Sequence, residues 1–167
     1  KTGTYWHLAT RPDELRAIDD ASLRSAAPVL DRMLEGATYR TLVHGDAKPD
    51  NFCFEERGES LAAVDFQYVG GGVGVKDVAY LLSCLHSPRF ETVDRYLDAY
   101  FGHLRTALAK RSEPLDVDAI ETEWRALFPI AYADFHRFLA GWAKGEWERD
   151  SFARRMVQKT LQALPSA

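Results

Sequence analysis

Apolar residues in the first part of the chain recur every three or four positions. This stripe runs from Leu15 to Leu34, begins just after Pro12, which suits the first turn of a helix, and stops before Gly36. It predicts one long helix over residues 12–36, with Ala26-Ala27-Pro28 as the point where it would break. The helix is expected to pack beneath the loops that follow it, and it carries no chemistry of its own.

Short apolar runs replace the helical pattern in the middle of the chain. Thr41–Val43 reads as a strand, and two further runs, 51–54 and 61–64, flank a polar turn that contains Gly58. Runs separated in this way are typical of a β-hairpin. Antiparallel pairing would place Asn51, at the start of the first strand, close to Asp65, just after the second.

A glycine-rich stretch follows the hairpin. Residues 70–74 lack the Gly-Lys-Ser/Thr ending of a P-loop and do not join a strand to a helix in the dinucleotide-binding manner. We therefore interpret them as a flexible loop, in preference to a phosphate-binding one. Lys76 begins the next helix, about ten residues after Asp65-Phe66-Gln67.

The second half of the chain is predicted to be helical. Ser87-Pro88 reads as an N-cap and first-turn pair for an amphipathic helix that continues to Leu108. Asp118 and Glu121 resemble a capping box at the start of the following helix. A last helix is expected over residues 151–164.

The helix that follows Asp118 carries an apolar stripe up to Trp142, interrupted by Pro129, which should kink or split it. Its aromatic members are expected in the core more than in a ligand pocket: Trp124, Phe128, Tyr132, Phe135 and Trp142. Together the patterns predict an α+β fold in one domain, residues 1–167, with a small β element followed by helices.

Composition and charge narrow the possible functions. The chain has 167 residues, of which 46% are hydrophobic and 12% aromatic, so it can bury a substantial core. Its net charge of −4 supplies no basic field for a nucleic-acid backbone, so a nucleic-acid partner is disfavoured and cationic or neutral ligands fit better.

The two cysteines and the absence of a long apolar run bear on location. Cys53 and Cys84 form no metal or disulfide motif and are expected to be buried thiols in a reducing compartment. The sequence has no run of about 18 apolar residues and no signal-peptide pattern, so we expect no membrane partner and a cytoplasmic location.

Two motifs carry the chemistry. Residues 44–51, His-Gly-Asp-Ala-Lys-Pro-Asp-Asn, fit the kinase catalytic-loop pattern H-x-D-x-x-x-x-N, and Asp65-Phe66-Gln67 falls where the metal-binding D-F-G would lie. Phosphoryl transfer needs a positioned hydroxyl, neutralised phosphate charge and metal ions held on oxygen atoms. The two motifs contain candidates for each requirement, so they predict a phosphotransferase.

With Gly45 after the histidine and Gln67 in place of the last glycine of D-F-G, the stretch resembles the aminoglycoside phosphotransferase and choline kinase superfamily. The D-F-Q variant points to its ecdysteroid-kinase-like branch, and the similarity is clearest over residues 41–82. This resemblance implies a protein-kinase-like C-terminal lobe, mostly helical, whose small hairpin carries the catalytic and metal loops. It also implies transfer of the γ-phosphate of ATP, with Mg²⁺, to a hydroxyl of a small molecule.

The resemblance assigns roles to residues. Asp46 would be the catalytic base, and Lys48 would stabilise the transferred phosphate. Asn51 and Asp65 would bind Mg²⁺ and, together with Lys48, the nucleotide. His44 is expected to hold the loop in place by packing and hydrogen bonding.

Asp77 resembles the family's aspartate that braces the catalytic loop from the following helix. Asp50 is expected to face solvent. The short spacing between Asp65-Phe66-Gln67 and that helix leaves little room for a peptide-binding segment, so a small hydroxylated acceptor is the expected substrate.

The parts of a kinase that precede the catalytic loop are missing from the sequence. The chain opens at Lys1, and neither a G-x-G-x-x-G loop nor a V-A-I-K-like strand comes before His44. We therefore expect a missing N-terminal lobe of the same protein as a partner. Two other hypotheses stay open: a non-catalytic, kinase-like binding module, and a metal-dependent hydrolase that uses His44, Asp46 and Asp65.

Overall fold

The computed structural model describes residues 1–85, 90–112 and 115–165. It is a mixed α+β structure, mostly helical, with two small antiparallel sheets, which confirms the predicted fold class at this level and is compatible with a kinase-like fold. The strands are β1 (Thr41–Val43), β2 (Phe52–Phe54), β3 (Leu61–Ala63) and β4 (Gly70–Gly72). The helices are α1 (Pro12–Ala17), α2 (Ala21–Glu35), α3 (Val75–Ser83), α4 (Phe90–Leu108), α5 (Val117–Trp142), α6 (Lys144–Arg149) and α7 (Ser151–Gln162).

The long helix predicted over residues 12–36 is in fact two helices. The break lies between α1 and α2, where Asp20 accepts hydrogen bonds from the backbone N–H groups of Ser22 and Leu23 and so caps α2. Pro28 lies inside α2 without ending it. The sequence-based position of the break was wrong because a side-chain cap starts a helix more decisively than an internal proline ends one that packing already holds.

Helix α5 forms the centre of the molecule and packs against α1, α2, α3, α6 and α7. It runs through Pro129 as one helix, so the expected split does not occur. Its N-cap is Asp116, which accepts the N–H of Ala119, and the capping box predicted at Asp118 was wrong. The aromatic stripe is core, as expected, for Trp124, Phe128, Tyr132 and Phe135, but Trp142 is 62% exposed.

The hairpin prediction is confirmed, and the glycine prediction is not. Strands β2 and β3 pair around the polar turn, with Phe52 opposite Ala63. Residues Gly70–Gly72 form strand β4, paired antiparallel with β1, and do not form a flexible loop. Because the glycines of this strand have no side chains, a second segment can approach its backbone. The N–H of Gly3 bonds to the carbonyl of Gly71 at 2.9 Å.

The close approach of Gly3 and Gly70 leaves no room for side chains. A Cβ on Gly70 would lie 2.6 Å from the nitrogen of Gly3, and a Cβ on Gly3 would lie 2.9 Å from the nitrogen of Gly70. The first residues of the chain are thus fastened by backbone contacts to the sheet beside the catalytic loop.

A buried polar cluster fastens the same segment to α5. The indole of Trp6 donates to Asp134 at 3.0 Å, and Arg137 donates to Asp134 at 3.0 Å and to the Trp6 carbonyl at 2.8 Å. Both charged side chains are almost completely buried. This cluster sets the position of Trp6, and therefore of Tyr5 beside it, relative to the helical core.

Three other predictions concern helix ends, membranes and thiols. Helix α7 begins at Ser151 as predicted, whereas the Ser87-Pro88 cap lies outside the described residues. Within the described ranges, no helix is both long and apolar enough to cross a membrane. Cys53 and Cys84 are free, as expected, but Cys53 is exposed and Cys84 only partly buried, so the prediction of two buried thiols was wrong.

Candidate active site

The loop of residues 44–51 joins β1 to the hairpin, and its first turn is set by two features. Gly45 has a φ of +80°, and a Cβ there would lie 2.3 Å from the carbonyl oxygen of Tyr68. Asp77, in the first turn of α3, accepts the backbone N–H groups of His44 at 2.6 Å and Gly45 at 3.0 Å. The loop is therefore anchored to the helix that follows the glycine strand.

The imidazole of His44 connects the loop to the hairpin. Its Nδ1 accepts the backbone N–H of Asp46 at 3.3 Å, which assigns the ring proton to Nε2, and Nε2 lies 2.8 Å from the carbonyl oxygen of Val64. The ring also packs against Phe66, with centroids 4.8 Å apart. Both ring nitrogens are occupied, and the residues on either side of Asp65 are held by this one side chain.

Asp46 and Asn51 are joined directly. The amide nitrogen of Asn51 donates to the backbone oxygen of Asp46 at 2.7 Å and to its carboxylate Oδ2 at 3.0 Å. Because the amide nitrogen supplies both donors, the Oδ1 of Asn51 stays available to another group. Lys48 places its Nζ 3.6 Å from the same Oδ2. Asp46 and Asn51 are buried, whereas Lys48 is partly exposed and Asp50 faces solvent as expected.

Asp65 lies beside this pair through the backbone of the hairpin. The N–H of Val64 bonds to the carbonyl of Asn51 at 3.0 Å, so Asp65 follows the residue paired with Asn51. Asp65 has a left-handed backbone, with φ 63° and ψ 60°, and its exposed carboxylate accepts the Gln67 amide at 3.3 Å. Asp46 and Asn51 are joined by a side-chain hydrogen bond. Among the described residues, the Asp65 carboxylate bonds to Gln67 and to neither of these two side chains.

The donor set can be compared with what Mg²⁺ requires. The described residues contain no group of three or more His, Cys, Asp or Glu side chains placed to hold a metal. Mg²⁺ bound to a nucleotide needs only one or two protein oxygens, since phosphates and water complete its octahedral coordination. The free Oδ1 of Asn51 and the exposed carboxylate of Asp65 are of the right chemical kind, so these residues fit such an ion.

An aromatic cluster that includes Tyr5 and Tyr80 lies beside the loop of residues 44–51, and the sequence did not predict it. Burial raises the pKa of the Tyr5 hydroxyl to about 12, and the Asp46 carboxylate acts in the same direction. Burial raises the pKa of the Cys84 thiol to about 11, with smaller contributions from Asp50 and Asp46. Tyr5 also contacts Tyr80 through the two hydroxyls at 3.5 Å.

These groups are uncharged near neutral pH, and Tyr5 is held beside the loop because its backbone N–H bonds to the carbonyl of Gly45 at 3.1 Å. Tyr5 belongs to a segment with no recognisable motif. Its one sequence signal is the adjacent aromatic pair Tyr5-Trp6, which is too weak to indicate a site.

A loop that pairs an aspartate with an asparagine five residues later, beside a hairpin that ends in a second aspartate, is compatible with kinase-like phosphotransferases. A family model described as the phosphotransferase enzyme family matches residues 4–114, about two thirds of the chain. The chain therefore belongs to this family, which includes the aminoglycoside-phosphotransferase-like proteins that the motifs resemble. No curated protein and no solved structure matches the chain.

Proposed function

We propose that the protein is an ATP- and Mg²⁺-dependent phosphotransferase that transfers the γ-phosphate to a hydroxyl of a small molecule. The observation that carries this proposal is the hydrogen bond between the Asn51 amide and the Asp46 carboxylate, in a loop fastened to the hairpin that ends at Asp65. Family membership supports the reaction type. We place the protein in the ecdysteroid-kinase-like branch because Gln67 follows Asp65-Phe66.

Asp46 is the proposed base. Its Oδ2 is occupied by Asn51 and lies near Lys48, which fixes the carboxylate in one orientation. The acceptor hydroxyl would give its proton to this carboxylate while its oxygen forms the new bond to phosphorus, and the bond from phosphorus to the ADP oxygen breaks. Lys48 would offset negative charge on the transferred group, as a cation near the reacting oxygens can.

Asn51 and Asp65 are the proposed ligands of the metal. A bound Mg²⁺ would neutralise charge on the nucleotide phosphates. His44 and Asp77 act as positioning residues: His44 links the loop to Val64, and Asp77 holds the first two backbone N–H groups of the loop. Neither side chain needs to touch the substrate for these roles.

The geometry disfavours the hydrolase hypothesis. A histidine that serves as a metal ligand or a general base needs a free ring nitrogen, and both nitrogens of His44 are occupied by backbone groups. Of the three hypotheses, phosphotransfer is the one that also gives Lys48 and Asn51 a role.

The nucleotide is proposed to bind between this chain and an N-terminal lobe of the same protein. The exposed apolar side chains of the hairpin region, Phe54, Leu61 and Phe66, suit a surface that such a lobe would cover. A kinase of this kind, with two free cysteines, would work in the reducing cytoplasm.

The test is a transfer assay with the full-length protein, ATP labelled at the γ-phosphate and a panel of hydroxylated small molecules. We expect a labelled organic product, and Asp46→Asn should lower kcat by about 10²–10⁴-fold with little change in KM. The matched control is Asp50→Asn, which removes an exposed carboxylate from the same loop and should retain activity. Label found only as inorganic phosphate, or a loss confined to KM, would contradict the proposal, and nucleotide binding without turnover would favour the non-catalytic module.

A further inference from the structure

A cavity of about 600 Å³ lies beside the proposed site. Two of its lining residues touch the chemistry-bearing segments: the backbone N–H of Tyr5 bonds to the carbonyl of Gly45 at 3.1 Å, and Gln67 donates to Asp65 at 3.3 Å. The cavity therefore adjoins both the loop that carries the proposed base and the proposed metal ligand. Its volume is in the range of small-molecule sites, about 300–1,000 Å³.

The charge of this cavity is opposite to that of the whole chain. Its described lining residues include the cations Lys1 and Arg11 and contain no aspartate or glutamate. The chain as a whole has a net charge of −4. A polycationic acceptor would meet no carboxylate on this wall, whereas an acid would meet a guanidinium.

Arg11 is held in a fixed position at the cavity wall. Its Nε donates to the carbonyl of Tyr5 at 2.6 Å, and its guanidinium lies 5.7 Å from the ring centroid of Phe138. Glu14 forms an ion pair with Nη1 at 3.6 Å, so a bound acid would share the guanidinium, which has further N–H donors, with this carboxylate. A guanidinium fixed in this way can bind a carboxylate with little further loss of side-chain entropy.

The aromatic side of the cavity suits a ligand that contains a ring. Tyr5 and Tyr68 line the cavity with ring centroids 5.7 Å apart, and Gln67 and Thr10 add polar groups that can bind hydroxyls. Aromatic walls with a few polar groups are typical of sites for ring-shaped ligands.

We propose that this cavity binds the acceptor, and that the acceptor is a hydroxylated organic acid with a ring body. Its carboxylate would lie against Arg11, its ring against Tyr5 and Tyr68, and its hydroxyl toward Asp46. This inference rests on the proposed function for the transfer step, in which the hydroxyl oxygen bonds to the γ-phosphorus of ATP, ADP leaves, and the proton passes to Asp46.

The first experiment measures binding without turnover. Sugar, steroid and aromatic-alcohol probes, each as an acid, a neutral alcohol and an amine, are titrated into full-length Asp46→Asn protein and followed by ligand-observed NMR. We expect the acid to bind at least about tenfold more tightly than the amine in every series that binds. An amine that binds as tightly as the acid, or no binding in all three series, would overturn the assignment.

The second experiment tests whether Arg11 supplies the positive charge that binds the acid. Arg11→Gln should reduce the preference for the acid to within about twofold, and Arg11→Lys should restore part of it because the charge returns. The matched control is Arg16→Gln, which removes an exposed arginine paired with Asp13 outside the cavity and should leave the preference unchanged. A preference that survives Arg11→Gln would show that the acid binds elsewhere.

The two proposals fail differently. Acid-selective, Arg11-dependent binding without phosphorylated product would retain the cavity assignment and remove the proposed reaction. Transfer to an amine-bearing acceptor in preference to its acid would retain the reaction and remove the cavity assignment.

Discussion

The carboxylate of Asp77 accepts the backbone N–H of His44 at 2.6 Å, although the residues lie 33 positions apart. The other carboxylate oxygen accepts the N–H of Gly45 at 3.0 Å. Burial raises the pKa of the Asp77 carboxyl, and the two N–H groups act against that effect. The position of Asp46, one residue later, therefore depends on a carboxylate that is occupied by two backbone N–H groups.

Replacing Asp77 by asparagine should loosen this loop. Asparagine accepts one of the two N–H groups and presents its own N–H₂ to the other, so we expect a loss of about 1–3 kcal/mol of unfolding free energy and faster amide exchange at His44 and Gly45. Hydrogen exchange read by NMR is the measurement. The control is Asp98→Asn, which removes an exposed carboxylate paired with Arg125. Unchanged exchange at His44 and Gly45 would contradict the anchoring role.

Gly45 and Gly58 form a natural comparison, since both have positive φ, +80° and +71°. An alanine at 45 would place its Cβ 2.3 Å from the carbonyl oxygen of Tyr68, whereas an alanine at 58 meets no atom within 4 Å. We expect Gly58→Ala to cost about 1 kcal/mol, the conformational term alone, and Gly45→Ala to cost at least about 3 kcal/mol, because the backbone must move. Urea unfolding of both variants checks this, and equal costs would contradict it.

His136 makes stability depend on pH. Complete burial lowers the pKa of its imidazole to about 4 from 6.5, although the Tyr132 carbonyl and Asp150 act in the other direction. The unfolded chain takes up a proton below pH 6.5 and the folded protein does not, so this site lowers stability as pH falls from 6.5 to about 4. One group can contribute up to about 3 kcal/mol over that interval.

The measurement is the pH dependence of urea unfolding for the parent protein and for His136→Leu. The slope between pH 6.5 and 4 should decrease in the variant, whatever its absolute stability. His103→Leu, at an exposed histidine, should keep the parent slope. A variant at position 136 with the parent slope would show that other groups titrate.

Removing one member of the buried Asp134–Arg137 ion pair should lower stability more than removing both. Arg137→Met leaves the buried Asp134 carboxylate with the Trp6 indole as its one side-chain donor among the described residues, so we expect a loss of about 3–5 kcal/mol. The double variant Asp134→Leu with Arg137→Met should recover part of that loss, because no unpaired charge remains. Thermal and urea unfolding measure the series, and a double variant no more stable than Arg137→Met would contradict this account.

Local patterns predicted the elements that carry the motifs. The strand at Thr41–Val43 could be predicted from its short apolar run. The hairpin at residues 51–64 could be predicted because two such runs on either side of a polar, glycine-containing turn permit few other structures. The pairing of Val64 with Asn51 then follows from the register of the hairpin. The neighbourhood of Asn51 and Asp65 was therefore predictable from sequence.

The errors arose where distant contacts decide the structure. Gly70–Gly72 lacks any strand propensity and forms a strand because β1 and the segment around Gly3 pair with its backbone. The position of Tyr5 depends on the neighbouring Trp6, which donates a hydrogen bond to Asp134, 128 positions away in the sequence. No local pattern carries that information, so the position of Tyr5 beside the loop could not be predicted.

The backbone contact between Gly3 and Gly70 has a consequence for mutational tolerance. Neither partner can become smaller, so no second substitution can compensate for an enlarged residue at the other position. A comprehensive mutational scan would score both glycines as intolerant as any reacting group. The intolerance at these two positions would reflect the close contact of two backbone segments. Without the structure, it would be read as evidence of a catalytic role.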